Sequence, residues 1–432
     1  MSTQTILPID RSAIERHSAS RNEPEWMTEL RLKALEMASQ LEMPFLEKTR
    51  IDRWALDQYG TYQAPQKIST LDQLSDRAKL FIQEGHSDNL VIQRNSGNVY
   101  QSLRDDLKQQ GVIFTDLETA VREHGDIVRT HFLKAVQYEN RITALHTALW
   151  NGGVFLYVPK NVHVEVPLQA LFILEDSSAT FAPHVLIIAE ANSSVTYVNN
   201  FISEPGQPAT HNGAVEVFVK PGAHVRFATV HNLSESVTEF MYRRAMIDND
   251  GKMEWIVGEF NDGNTATGTF STLTGNGASY DAKIIAVGTG EQKLNYTTRA
   301  THHGKATTSQ MRTHAVMRDK ATAIINGITK IQKGASGSNG EQTERVLMLS
   351  PQARGDANPI LLIDEDDVKA GHAASVGQVN EEHMYYLMSR GISRADAERL
   401  IIYGFLAPVV EEIPIPRLKE QLQALIERKL GQ

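Results

Sequence analysis

The sequence predicts a mainly β protein with α-helical ends, and two patterns carry that prediction. Beyond Gly152, short runs of β-branched and aromatic residues alternate with turn dipeptides. Before Gly152, and again after about residue 378, apolar residues recur at spacings of three and four. Three regions follow: a mainly helical N-terminal region over 1–151, a β core over 152–378 and a helical C-terminal region over 379–432.

In the N-terminal region Pro24 opens a helical pattern in which Trp26, Leu30, Ala34, Met37 and Leu41 share a face until Pro44 breaks it. Helical character is expected to continue to about Glu84. Asn89–Gln93 then reads as a strand, Thr115–Glu123 as a helix, and Asp126–Asn151, with His131, Leu133, Ala135, Leu145 and Ala148, as helical again.

The core reads as strand, turn, strand. Val154–Val158 and Val162–Val166 flank Lys160-Asn161, Val185–Ile188 and Val195–Val198 flank Asn192-Ser193, and Val215–Val219 and Val225–Thr229 flank Pro221-Gly222. Met241–Ile247 and Lys252–Val257 flank Asp250-Gly251, and Phe270–Leu273 and Tyr280–Ala286 flank Asn276-Gly277. Turn centres roughly 26 to 32 residues apart fit a solenoid. Small or hydroxylated residues at Thr297-Thr298, Thr307-Thr308-Ser309 and Thr322 suit stacking between coils. Asn-Gly and Asp-Gly suit the hairpins of a β-sandwich equally well, so pattern alone leaves both architectures open.

In the C-terminal region Glu381–Arg390 reads as a helix closed by Gly391, and Ser393 with Asp396 starts a second helix running to about Ala407, ahead of Pro408. A third follows Pro416, with Leu418, Leu422, Leu425 and Ile426 on one stripe. These helices are expected to cover an open end of the core. Because they follow the repeats without interrupting them, the core is expected to fold without them.

Composition narrows the function. Among 432 residues there is no cysteine, the formal net charge is -9, and no apolar run approaches the ~20 residues of a membrane-spanning helix. Met1–Arg11 holds neither a basic leader nor an apolar stretch, which predicts a cytoplasmic protein. The absence of basic runs argues against nucleic-acid binding. Without thiols there are no disulfides, no thiol nucleophile and no four-thiolate cluster. No Walker A loop and no His-Glu-x-x-His occur. Gly334–Gly340 lacks the strand-then-helix context of a nucleotide fingerprint and reads as a solvent loop. Glu254 with Asp262 would supply the paired carboxylates of a polysaccharide-active β-helical enzyme, but they read better as surface groups at coil turns.

Of the 15 histidines, His302, His303 and His314 lie in strand-rich stretches, and at most one of the first two faces His314. His383 reads as a surface or capping residue. His372 stands between Ala370-Gly371 and Ala373-Ala374, small neighbours that leave its ring accessible, after the acidic run Asp364–Asp367. Taken bare, this is a solvated turn with a structural histidine.

Asn358–Gly377 and Tyr385–Phe405, with Glu23-Pro-Glu-Trp26, Arg31 and Ala34 near the start, nevertheless resemble the SufB/SufD family of iron–sulfur cluster assembly proteins. The resemblance implies a right-handed parallel β-helix core flanked by helical regions, and a scaffold subunit that is not itself an enzyme. It places His372 at an interface with a SufB-like paralogue, as a group for iron or cluster assembly; neutral imidazole is a good ligand for iron. SufB-type chains carry glutamates beside this histidine where Gly371 and Ala373 stand here. They carry the assembly cysteine where this chain reads Gln342-Thr343-Glu344-Arg345. The thiolate must then come from the partner, and the cluster or iron is transient and shared, none being held stably by this chain alone. The resemblance also implies docking of a SufC-like ABC ATPase on the C-terminal helices, through Tyr385, Tyr386, Leu387, Arg390, Gly391, Ile392, Leu400, Ile401, Tyr403 and Phe405. The same edges would also allow a homodimer in isolation, or a purely structural homo-oligomer.

Overall fold

Each turn dipeptide of the core is a corner rather than a hairpin. The computed structural model describes residues 9–82, 88–413 and 415–430, so the leader reading of residues 1–8 and the expected helix end at Glu84 lie outside it. The strands on either side of a turn belong to different sheets: His184–Ala189 lies in a nine-stranded sheet and Ser194–Ser203 in a ten-stranded one. Alternate strands then stack in parallel, as Ala209–Val219 on Val237–Ile247 and His224–Asn232 on Lys252–Glu259. Eight such coils, from Val154 to Gln378, make a parallel β-solenoid, which excludes the sandwich.

The corners stack as well. Asn161, Asn192, Gly222, Asp250, Gly277, Ala306 and Gly337 all have positive φ, a conformation that Gly, Asn and Asp adopt at little cost. Corner N–H groups donate to a carbonyl one coil further on: Asn192 to Pro221 (2.9 Å), Gly222 to Asn249 (2.8 Å), Asp250 to Asn276 (2.8 Å) and Gly277 to Lys305 (2.9 Å). A backbone group that a hairpin would spend within its own turn therefore links successive coils.

Side chains alternate between the lumen and the outside. The lumen is filled by an apolar column including Val185, Val215, Met241, Trp255, Val257 and Ala282. Both outer faces are also covered over most of the solenoid, so Leu168–Leu174 and His184–Ala189 are buried at every residue. Helices from the first 150 residues cover the nine-stranded face, where Met27, Leu117, Val121, Val128 and Phe132 pack on Phe155, Leu186, Ile188 and Phe218. Arg31, fully buried, ties this layer together by donating to both oxygens of Glu23 (2.7 and 2.8 Å) and to the carbonyls of Ala148 and Trp150.

Several expectations are corrected here. The helix that follows Pro24 ends at Gln40, residues 41–70 form a non-helical strap in which Ile51, Trp54 and Leu56 pack on Phe240 and Ala266 of the solenoid, and helical structure returns only briefly at Asp76–Lys79. Val162–Val166 makes only an isolated bridge at His163, and the strand begins at Leu168, after Pro167, which has no N–H to donate. The helix expected to stop at Ala407 runs on through Pro408 to Val410, because a proline in the last turn removes a single bond while Val409 and Val410 are buried by continuing.

The C-terminal helices do not cover an end. Ile402, Leu406, Val409, Leu418, Leu422 and Ile426 lie against Val230, Ile256, Ile285 and Val316 on the outer face of the ten-stranded sheet. Their apolar stripe matches a long apolar face better than an end of two strands. The final coil is consequently left open.

Candidate functional site

That coil consists of Arg354–Ile363, which ends the nine-stranded sheet, and Lys369–Gln378, which ends the ten-stranded one. Each strand is ten residues long and pairs on one side only, leaving a row of backbone N–H and C=O groups free on the other. Burial changes abruptly: Asn339–Met348 alternates buried and exposed, whereas Lys369–Gln378 is exposed at all but Gly371. Val376 and Leu362, at 43% and 44% exposure, are apolar side chains left in solvent on these two strands. Pro359 sits in the edge strand, the place in a sheet where a residue lacking an N–H is tolerated.

The parallel register places His372 over Gln342 and Ala374 over Glu344. Gln342 faces the lumen, accepting from Thr329 Oγ1 (2.7 Å) and donating to the carbonyl of Gly327 (3.2 Å). His372 therefore stands at the open mouth of the lumen and is exposed. The acidic run before it is a corner. Glu365 accepts from the Gly334 N–H (2.8 Å) and lies 3.6 Å from Lys333 Nζ, while the Gly337 N–H donates to the Asp367 carbonyl (2.7 Å). Asp364, Asp366 and Asp367 are exposed, which fits a solvated turn.

One layer below the mouth, Glu344 is 1% exposed and its Oε2 has no hydrogen-bond partner among the described residues. Burial raises its carboxyl to about 7. A folded-state value above the unfolded one of ~4.3 means stability is full below that lower value and falls as pH rises through about 7. Glu344→Gln, which keeps the shape and removes the charge, is thus expected to stabilise the chain by about 3 kcal/mol at pH 8. The gain should shrink towards zero near pH 4. Urea unfolding at the two pH values measures it, and an equal effect at both would show that Glu344 is not held protonated.

The remaining histidines separate. His302 points into the lumen and is held by Thr307 Oγ1 (2.8 Å) and Ser309 Oγ (2.9 Å); burial, with His303 beside it, lowers it to about 4. His303 is exposed. His314 lies in the other sheet, with its Nδ1 2.9 Å from the Phe405 carbonyl, so it anchors the tail instead of joining His302. Glu254 is bound by Lys252 (2.7 Å), His224 (2.9 Å) and Arg226 (3.0 Å), and Asp262 by Lys429 (2.9 Å), which fits no acid and base pair.

A buried group not singled out from the sequence lies mid-solenoid. Glu239 accepts from His211 Nδ1 (2.7 Å), His231 Nδ1 (2.6 Å) and Asn261, while Arg243 meets His231 Nε2 (2.7 Å) and Glu259 (3.0 Å). Burial opposes the charge on Glu239, yet the imidazoles hold its carboxyl below the usual range. Among the described residues His211, His231 and Glu239 are the one grouping of three side chains close enough to share an ion, their atoms lying within 4.8 Å. With Arg243 already serving as the cation, the geometry reads as a shared hydrogen-bond network. Its only sequence signal is histidine at lumen-facing strand positions.

On the tail, Tyr385 (75%), Tyr386 (57%) and Leu400 (50%) are exposed, as are Arg390, whose guanidinium lies 5.2 Å from the Tyr386 ring, and Gly391. Leu387, Ile392 and Ile401 are half-buried. Tyr403 donates to Glu427 (2.6 Å), joining two tail helices, and Phe405 lies on His314 with ring centres 5.2 Å apart, tying the tail to the solenoid.

Residues 172–405 match the family described as SUF system FeS cluster assembly, SufBD core domain, and residues 11–170 match the SufBD protein N-terminal region. The chain belongs to the SufBD family. It is 48% identical over 436 residues to the iron-sulfur cluster assembly protein SufD of Bacillus subtilis (strain 168), covering 100% of both chains. It is 30% identical to the iron-sulfur cluster assembly protein SufB of the same organism, covering 94% of this chain and 90% of that one. A SufBD family protein of Staphylococcus epidermidis (strain ATCC 12228 / FDA PCI 1200) is likewise 30% identical, covering 92% and 88%.

Proposed function

We propose that this protein is a SufD-type scaffold subunit of a cytoplasmic complex that assembles iron–sulfur clusters, without catalysing a reaction of its own. The observation that carries the reading is the open last coil: two ten-residue edge strands, uncovered on their free sides, with His372 at the mouth. A SufB-like paralogue with an edge of the same kind would pair there through main-chain hydrogen bonds, the strand-addition mode of recognition. Iron and sulfide are cargo in this arrangement. This chain supplies imidazole, and the partner supplies the thiolate that a cysteine-free chain lacks.

The exposed Tyr385, Tyr386, Arg390, Gly391 and Leu400, with Leu387, Ile392 and Ile401 behind them, would dock a SufC-like ABC ATPase. Tyr403 and Phe405 carry the connection inward, because Phe405 reaches His314 on the strand Thr308–Met317. That strand is separated from the edge strand Lys369–Gln378 by Asn339–Met348 alone. Movement of a docked ATPase would thus reach the mouth through two strand pairings.

His372→Ala in the co-purified complex tests the reading. Because the ring is exposed, stability should change by no more than about 0.5 kcal/mol, and complex yield and ATPase activity should be near those of the wild type. Iron and acid-labile sulfide should fall sharply. Normal iron loading in a normally assembled complex would remove His372 from the site, and failure of any ATPase or paralogue to co-purify would remove the scaffold reading itself.

A further inference from the structure

Among the described residues Glu344 is the one carboxylate that the last two coils direct into the lumen beneath the mouth. It reaches across to Gly327 in the opposite sheet, where a Cβ would lie 1.8 Å from Glu344 Oε1 and 2.8 Å from its Cδ. The missing side chain at Gly327 is therefore what gives the carboxylate room. Neighbouring lumen groups are used: Gln342 is satisfied by Thr329 and by the Gly327 carbonyl, and His302 by Thr307 and Ser309. Glu344 Oε2 is not, and a buried acceptor left unmade costs about 1–3 kcal/mol.

What lies above it is small. The register sets Ala374 over Glu344 and Pro359 over Gly327; Ala374 is exposed and Pro359 half-buried. His372 is the diagonal neighbour of Glu344, one strand over and two residues along, about 8 Å away at the Cα atoms. In this structure the carboxylate is turned toward Gly327, and rotation of its side chain toward the mouth would let it and the imidazole meet on one ion across that gap.

We propose that Glu344 is a second ligand of the mouth, which with His372 binds one divalent cation, ferrous iron being the cargo, and leaves its other coordination positions open to the partner's side. The proposal rests on the reading of the open coil as the assembly site. One nitrogen and one carboxylate oxygen suit ferrous iron. The ion would supply the partner that Oε2 lacks. A hard carboxylate below and an imidazole at the rim also keep the ion at the surface where a second chain's thiolate could reach it.

Anaerobic titration of the full chain with Co2+, followed by its visible absorption, tests this without the complex. The wild type should show one saturable site, and Glu344→Gln and His372→Ala should each weaken it at least about tenfold, a ligand being worth no less than the residues that orient one. Glu341→Gln, an exposed carboxylate on the same strand that points outward, should leave the titration unchanged. Thermal unfolding near pH 4, where the wild-type carboxyl is protonated, checks that the Gln variant is folded. A saturable site indifferent to Glu344→Gln, or no saturable site in the wild type, overturns the proposal. If His372→Ala strips iron from the complex while Glu344→Gln leaves Co2+ binding intact, only this inference fails and the scaffold reading stands.

Discussion

Ending the chain after Asn380 is expected to unfold the solenoid and yield insoluble protein, not a trimmed core. Ile402, Leu406, Val409, Leu418, Leu422 and Ile426 are each 1% exposed or less, and together they cover Val230, Ile256, Ile285 and Val316 on the ten-stranded face. At ~1.5–3 kcal/mol for each buried aliphatic side chain, these six alone represent on the order of 10–20 kcal/mol as an upper estimate. That equals or exceeds the ~5–15 kcal/mol by which folded proteins are usually stable. Lys429 adds to the loss, its buried ammonium donating to the Asn261 carbonyl (2.6 Å), Asp262 (2.9 Å) and Gln292 (3.1 Å). Soluble yield, gel filtration and far-ultraviolet circular dichroism of the truncated chain measure the effect. A soluble, monodisperse protein with native β signal would show that the tail is an appendage after all. The ATPase-docking surface is better probed by Tyr385→Ala and Tyr386→Ala, whose rings are largely in solvent.

Glu216→Ala is expected to be the most damaging single truncation at the junction of the N-terminal region and the solenoid. Fully buried on the strand Ala209–Val219, its carboxylate accepts from the backbone N–H groups of Leu133 (2.6 Å), Ala135 (2.7 Å) and Val136 (2.9 Å), and lies 3.1 Å from His184 Nε2. Three convergent N–H groups form an anion-binding nest, and Leu133 holds a φ of 57° to make it. Removing the carboxylate leaves those donors buried and unpaired at about 1–3 kcal/mol each, roughly 3–9 kcal/mol before entering water recovers part. A loss of about 4 kcal/mol in urea unfolding is the expected result, with Glu216→Gln intermediate because its amide keeps one acceptor oxygen. A loss below about 1 kcal/mol for the alanine variant would mean that the nest does not need its anion.

Features that depend on near neighbours along the chain are legible in the sequence. Strand runs such as Val195–Val198 and Val225–Thr229 can be read because alternation at spacing two is local, and the corners because Asn192, Gly222, Asp250 and Gly277 are residue types that accept a positive φ. The tail stripe Leu418, Leu422, Leu425 and Ile426 is legible for the same reason at spacings of three and four. The absence of cysteine is a matter of composition alone, and it already assigns any thiolate ligand to another molecule.

Everything that rests on stacking is settled only by the fold, because stacking joins residues about 30 apart, and no spacing within one strand states which coil lies above it. A turn such as Asn276-Gly277 fits a hairpin and a corner alike until the N–H of Gly277 is seen to bond to Lys305 in the next coil. The strap over residues 41–70 escapes a sequence reading because its apolar residues answer to Phe240 and Ala266 on distant strands, not to a helical period of their own. His372 stands out in the sequence only by resemblance; its place at an open mouth follows from the sheets ending there. Glu344, one charged residue in an ordinary alternating strand, acquires its environment entirely from Gly327 across the lumen and Ala374 above it. A carboxylate's surroundings are set by whatever the fold stacks against it, and that is a property of the coil, not of the strand.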